Sequence, residues 1–202
     1  MPWAPDYATV AELAAFLRIA DNQDDVHLAV AITAASRAID ATANRQFGKV
    51  AVPEPRLYTA RWSGRRGVWV IPVDDLMTSA GLAVDVDSDG AGDYAPVTGY
   101  QLRPYNAAPV GRPWEVVTVD PANAALTGRA GAVRVTAAWG WSAVPVTVKS
   151  ACLLQASRFF ARREAPFGVA GSPDAGTEMR LLARVDPDVA VSLQPYRKVV
   201  LA

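Results

Sequence analysis

The chain has 202 residues, 51% of them apolar, with twenty Lys plus Arg against twenty Asp plus Glu. That composition fits a globular protein with one core, or one core carrying an inserted module. No apolar run approaches the roughly 20 residues needed to span a bilayer, no basic-then-apolar leader opens the sequence, and a single cysteine, Cys152, excludes an internal disulfide or a cysteine zinc cluster. Folding in the cytoplasm is the default expectation. Residues 1–145 carry 12 basic against 15 acidic groups and residues 146–202 carry 8 against 5. This asymmetry is too small to mark a nucleic-acid-binding tail.

Taken in order, TVAEL announces the first helix. Thr9 can cap the backbone and Glu12, three residues on, can complete a capping box; Val10, Leu13 and Leu17 then give one apolar face. After the polar loop IADNQDD, Asp24 or Asp25 starts a longer helix to about Asn44 with the stripe Leu28, Ile32, Ala35 and Ile39. Two helices joined by a short loop invite a DNA-reading motif, but Ser36, Arg37, Asp40 and Thr42 are a poor outward set for base edges. Packing is the ordinary explanation.

From about Lys49 to Trp141 the texture changes to short runs of Val, Tyr, Thr and Trp punctuated by Pro and Gly, the composition of strands and turns. LYTARW and GVWVI flank the SGRR turn as a hairpin, and LAVDVD, WEVVTV and AVRVTAAW supply further strands. Five of the six tryptophans (Trp62, Trp69, Trp114, Trp139, Trp141) lie here and are read as packing. Pro145 then opens the clearest long helix, with Val148, Cys152, Ala156 and Phe159 recurring at helical spacing, and Pro166 and Gly168 stop it. Cys152 falls on the apolar stripe and reads as a small core residue.

The expected architecture is mainly α with an inserted β module (α+β): three principal helices form a core from residues 1–48 and 142–164. A small antiparallel β insert occupies 49–141, and an extended C-terminal arm occupies 165–202. In that arm Phe167 and Val169 are apolar among Pro166, Gly168, Gly171, Pro173 and Gly176, and so lack a scaffold of their own. Asp186-Pro187 starts a short helix that Pro195 ends, too short to stand without a partner surface. Tyr196, Arg197 and Lys198 follow as an aromatic and two cations suited to an interface. Phe167, Val169, Tyr196, Arg197 and Lys198 are therefore the candidate partner-binding residues, expected to order on a neighbouring subunit or on a partner protein.

Little here points to catalysis. His27, the only histidine, lies in the first turn of a helix with no nucleophile motif nearby, and no glycine loop with lysine is placed to cradle phosphate. Asp85, Asp87, Asp89 and Gly90 match the opening of a calcium loop, but its twelfth position is Pro96 where a bidentate Glu belongs. A surface turn is the preferred reading, and a calcium site on Asp85, Asp87 and Asp89 is the alternative. No cofactor is expected.

Several stretches together carry a resemblance: TVAELAAFLRI with its polar loop, the helix ending SRAIDATANRQFG, IPVDDL, the DVDSDG turn, YQLRPYNAAPVGRPWEVV, AAWGWSAVPVTVKSACLLQASRFFARREAPFGVAG and LLARVDPDVAVSLQPYRK. Spread over nearly the whole chain, they resemble the head-to-tail adaptor (connector) proteins of tailed bacteriophages. The resemblance implies a non-enzymatic virion protein of the neck, between capsid and tail, assembled in the host cytoplasm. It implies a ring, commonly a dodecamer, beneath the portal protein, with a tail stopper or tail-completion protein on the distal side. Double-stranded DNA would pass through the lumen without sequence recognition, and no membrane is involved. The β insert is larger than in the shortest, almost purely helical adaptors. Two rival readings remain: a calcium- or carbohydrate-binding β module on a helical scaffold, and a small hydrolase, which would need a deep pocket with convergent polar groups.

Overall fold

The computed structural model describes residues 4–163, 169–170, 179–180 and 185–198. By contacts the chain divides into two units, Gly48–Ala143 and the discontinuous pair Pro2–Phe47 with Val144–Ala202.

In the discontinuous unit, α1 (Val10–Leu17) begins with the capping box read from the sequence. Thr9 Oγ1 accepts from Glu12 N at 3.2 Å, and a Glu12 carboxylate oxygen accepts from Thr9 N at 2.9 Å. The second helix, α2 (Asp25–Ala43), buries Leu28, Ile32, Ala35, Ser36 and Ile39 and ends on Asn44 in the left-handed region. The third, α3 (Val146–Ala161), starts after Pro145 and buries Val148, Cys152 and Ala156 against α2. Cys152 is fully buried, and burial pushes its thiol above the usual range.

The expectation of a mainly α protein built on three principal helices with an extended arm does not hold. Among the described residues there are four α-helices and two four-stranded antiparallel sheets, 32% helix against 23% strand, so the fold is α+β. The fourth helix, α4 (Pro187–Leu193), is the short helix expected after Asp186, but it belongs to the packed unit and not to an extended arm. It packs on α3 and α2, burying Val189 and Leu193. The reason is its spacing: Val189 and Leu193 stand four residues apart, so one turn-and-a-half of helix presents both to the same surface. A short helix needs a partner, and α3 of the same chain supplies it. The chain also pairs Val169–Ala170 (β9) with Met179–Arg180 (β10), Ala170 opposite Met179.

The unit Gly48–Ala143 carries the two sheets. One has the order β1 (Glu54–Tyr58), β8 (Val133–Ala137), β4 (Ala83–Val86), β5 (Ala95–Pro96). The other has β2 (Arg61–Ser63), β3 (Val68–Leu76), β7 (Trp114–Val119), β6 (Tyr100–Arg103). LYTARW is thus two strands, because the chain leaves one sheet after Tyr58 and enters the other at Arg61. Alternation in β8 sends Val133, Val135 and Ala137 inward, where they join Ile71, Val73, Val84, Val117 and Val119 in one apolar core drawn from both sheets. This second core explains why strands weigh nearly as much as helices.

Trp139 belongs to that core, and Trp141 is buried as well. Trp139 donates its indole N–H to Glu54 O at 2.9 Å and Trp141 donates to Asp75 Oδ2 at 2.8 Å, so each buried ring also satisfies its polar atom. Between them Gly140 has φ +107°, and a Cβ there would stand 1.9 Å from Gly48 O. Only glycine fits this close approach.

Candidate functional site

Three of the candidate partner-binding residues come together at the C-terminal end of α2. Asp186 caps α4 by accepting from Asp188 N at 2.8 Å, forms an ion pair with Arg158, and donates its own N–H to Gln155 Oε1 at 3.0 Å. After α4 a short 3-10 turn, Gln194–Tyr196, carries the chain back toward α2. The Tyr196 ring meets Phe47 edge-on at 5.7 Å, and Phe47 meets Tyr7 on another side at 5.7 Å. Lys198 N donates to Ala43 O at 2.9 Å, and Asn44 Nδ2 donates to Lys198 O at 3.2 Å. Tyr196 is therefore half-buried within its own chain, Lys198 is tied by its backbone, and Arg197 is exposed. Val169 stands in β9 opposite Arg180, away from this group in sequence and pairing. Phe167 lies outside the described residues.

The same helix end is held from the N-terminal side by contacts that sequence reasoning missed. Arg37 donates to Ala4 O at 3.0 Å and Pro5 O at 2.7 Å, and Thr33 donates to Asp6 at 2.9 Å. Tyr7 N donates to Ser36 Oγ at 3.1 Å, its hydroxyl donates to Asp40, and the same oxygen accepts from Phe47 N at 3.0 Å. Burial, then the bond to Asp40, pushes the Tyr7 hydroxyl well above its ordinary value; burial also raises the Asp40 carboxyl. A bulky aromatic next to a lone Asp, as in APDY, gives no periodic signal, so only the fold reveals the network. Near the starts of α1 and α3, Lys149 reaches Glu12 at 2.6 Å, and that contact, followed by the cap at Thr9, lowers the Glu12 carboxyl.

Part of the outward face of α2 is apolar, where the sequence reading gave it no role. Val26 is 73% exposed and Val30 64%, one helical turn apart on α2 and opposite the buried Leu28 and Ile32; Phe16, Val146 and Val191 are exposed too. The hidden signal was the second stripe of α2, where Val26, Val30 and Ala34 recur every fourth residue.

The aspartates of the DVDSDG turn do not converge. Asp85 pairs with Arg134 at 3.0 Å. Asp87 accepts from Gly90 N at 2.7 Å and Gly92 N at 3.2 Å and pairs with Arg129 at 3.0 Å, while Asp89 accepts from Ala91 N at 2.9 Å. Arg129, then the two backbone donors, hold the Asp87 carboxyl below the usual carboxylate range. Among the described residues no group of three or more His, Cys, Asp or Glu is arranged to hold a metal ion. His27 is exposed at the start of α2. A shallow cavity of about 220 Å³ is lined by Val68, Gly99, Tyr100, Gln101, Thr118, Asp120 and Asn123, with no nucleophile–base pair among them. No described helix is long and apolar enough to cross a membrane.

No family model and no curated protein matches this chain. Solved structures do match in fold. A chain from the neck of an empty GTA particle, computed with C6 symmetry, is similar over 100% of this chain and 95% of its own, at 23% identity and a TM-score of 0.56. A chain from the neck of a native GTA particle, computed with C12 symmetry, covers the same shares at 22% identity and a TM-score of 0.48. The first of these shares the fold of the present chain from end to end.

Proposed function

We propose that this chain is a structural protein of the neck of a phage-like particle: a head-to-tail adaptor that forms a ring beneath the portal protein and joins capsid to tail. The observation that carries the reading is the correspondence of fold, over the whole chain, to a chain in the neck of a GTA (gene transfer agent) particle. The adaptor-like stretches in the sequence point the same way. In this reading the ring holds a tail stopper or tail-completion protein on its distal side and DNA passes through its lumen. The protein acts by binding and not by catalysis. The exposed apolar stripe of Val26 and Val30 on α2 offers a helix face for a neighbouring subunit.

The test is genetic. Deleting the gene from its particle-producing host should leave heads and tails that fail to join, visible as separate structures by electron microscopy. Complete particles formed without this protein would refute the reading.

A further inference from the structure

The turn between β2 and β3 is closed by its backbone. Ser63 O accepts from Arg66 N at 3.0 Å and from Gly67 N at 2.9 Å, and Gly67 takes φ +65°, a conformation that glycine adopts without strain. Those bonds fix Arg65 and Arg66 at the apex of the hairpin, both exposed. Arg61, on the edge strand β2, is exposed as well, and Trp62 beside it is 50% exposed with its ring edge-on to Trp69 at 5.4 Å. Other arginines of the same unit are neutralised locally: Arg56 by Glu54 and Asp74, Arg129 by Asp87, Arg134 by Asp85. Among the described residues, no ion pair or hydrogen bond engages the guanidinium of Arg61, Arg65 or Arg66. A chain of zero net charge thus carries three uncompensated cations and one braced aromatic along a single exposed hairpin.

We propose that this hairpin tip contacts the phosphate backbone of double-stranded DNA, through Arg61, Arg65 and Arg66, with Trp62 bracing the hairpin. Two considerations select phosphate over an acidic protein surface. Exposed ion pairs between proteins contribute little unless an apolar centre excludes water around them, and Trp62 is the one large apolar side chain exposed on this hairpin. Phosphate contacts need no such centre, because neutralising DNA charge releases condensed counterions. Guanidinium forks also match phosphate oxygens in geometry. The tip carries no Asn or Gln to pair with adenine, and its arginines, which can fork onto guanine as well as phosphate, sit on a turn and an edge strand and not on a helix shaped for the major groove, so the proposed contact is with the backbone and indifferent to sequence. Three cations per copy give a weak contact, which a ring of copies would strengthen through effective concentration. The source of the duplex rests on the neck reading; the contact itself does not, and is measured on the isolated protein.

The experiment is fluorescence anisotropy of a short labelled duplex at low salt, with two unrelated sequences, across a salt series. Expected is weak binding, equal for both sequences, with a logarithmic salt slope of about −0.9 per phosphate contacted. Arg65→Glu with Arg66→Glu should abolish it, and Arg61→Ala should reduce the slope by about one. Arg65→Lys with Arg66→Lys should retain most of it, and circular dichroism should show every variant folded. Binding by wild type that the Glu variants leave unchanged, or no binding by wild type at low salt, overturns the proposal. So does a result in which the Glu variants bind DNA normally but lose attachment to a protein of the particle. Failure here leaves the neck reading standing, since that is judged by head–tail joining.

Discussion

The ring of Tyr196 stands edge-on against Phe47, 5.7 Å between centroids and 78° between planes, and so ties the C-terminal segment to the end of α2. Because Phe47 also meets Tyr7, one buried ring joins residues from both ends of the discontinuous helical unit. Tyr196→Ala should therefore lower stability by about 1–2 kcal/mol, through loss of the edge-to-face pair and its buried area. Tyr196→Phe keeps the ring pair and most of the stability. Urea melts decide the matter. An Ala variant that melts like wild type yet assembles poorly would mean that the ring faces a partner instead.

The helix α4 makes the C-terminal segment part of the core. Leu193 and Val189 are 0% and 1% exposed, so Leu193→Ala should cost about 2–5 kcal/mol. Deleting residues 186–198 uncovers the surface of α3 that they bury and should broaden or abolish the cooperative melt of the helical unit. A truncated protein with an unchanged melting temperature would contradict this packing.

In the β unit, Gly140→Ala has no room: its Cβ would meet the Gly48 carbonyl carbon and oxygen, and φ is positive. The variant should be among the most damaging single changes, seen as loss of soluble yield or a large fall in melting temperature. Trp141→Phe removes the donor to the buried carboxylate of Asp75 and should cost about 1–3 kcal/mol. Near-wild-type melts for both would show that the loop does not hold the sheets as described.

Much of the helical unit was legible because its signals are local. Thr9 and Glu12 mark the start of α1, Pro145 marks that of α3, and the Leu28–Ile39 stripe gives the inner face of α2. What was not legible depends on distant partners. The burial of Val189 and Leu193 is decided by a surface on α3, and nothing near them in sequence says so. LYTARW reads as one strand, since a change of sheet leaves no compositional mark at Thr59 and Ala60. Strands β5 and β6 are too short to alternate. The aspartates of DVDSDG resemble calcium ligands because carboxylates that bind backbone N–H groups in a turn have the same spacing, and Arg129, which occupies Asp87, lies far along the chain.

That geometry yields a pH prediction. Asp87 is held below its ordinary value of 3.8 in the folded protein, first by Arg129 and then by Gly90 and Gly92. Its stabilising contribution is complete above 3.8 and is lost as pH falls through the lower, folded value. The melting temperature of Asp87→Asn should thus lie below wild type by a constant gap at neutral and mildly acid pH, and the gap should narrow only below 3.8. Calcium should leave the melt unchanged, because a cation would have to displace Arg129 and two backbone donors. A gap that narrows near neutrality, or a rise in melting temperature with calcium, would refute this arrangement.

An adaptor of a head–tail neck, as proposed here for this chain, docks on portal as a closed ring. The most direct test is electron microscopy of the purified protein mixed with the portal protein of the same particle. Closed rings of this chain should appear stacked on portal, with their lumens aligned. A bare portal, with the protein remaining in solution as a stable closed dimer, would contradict it.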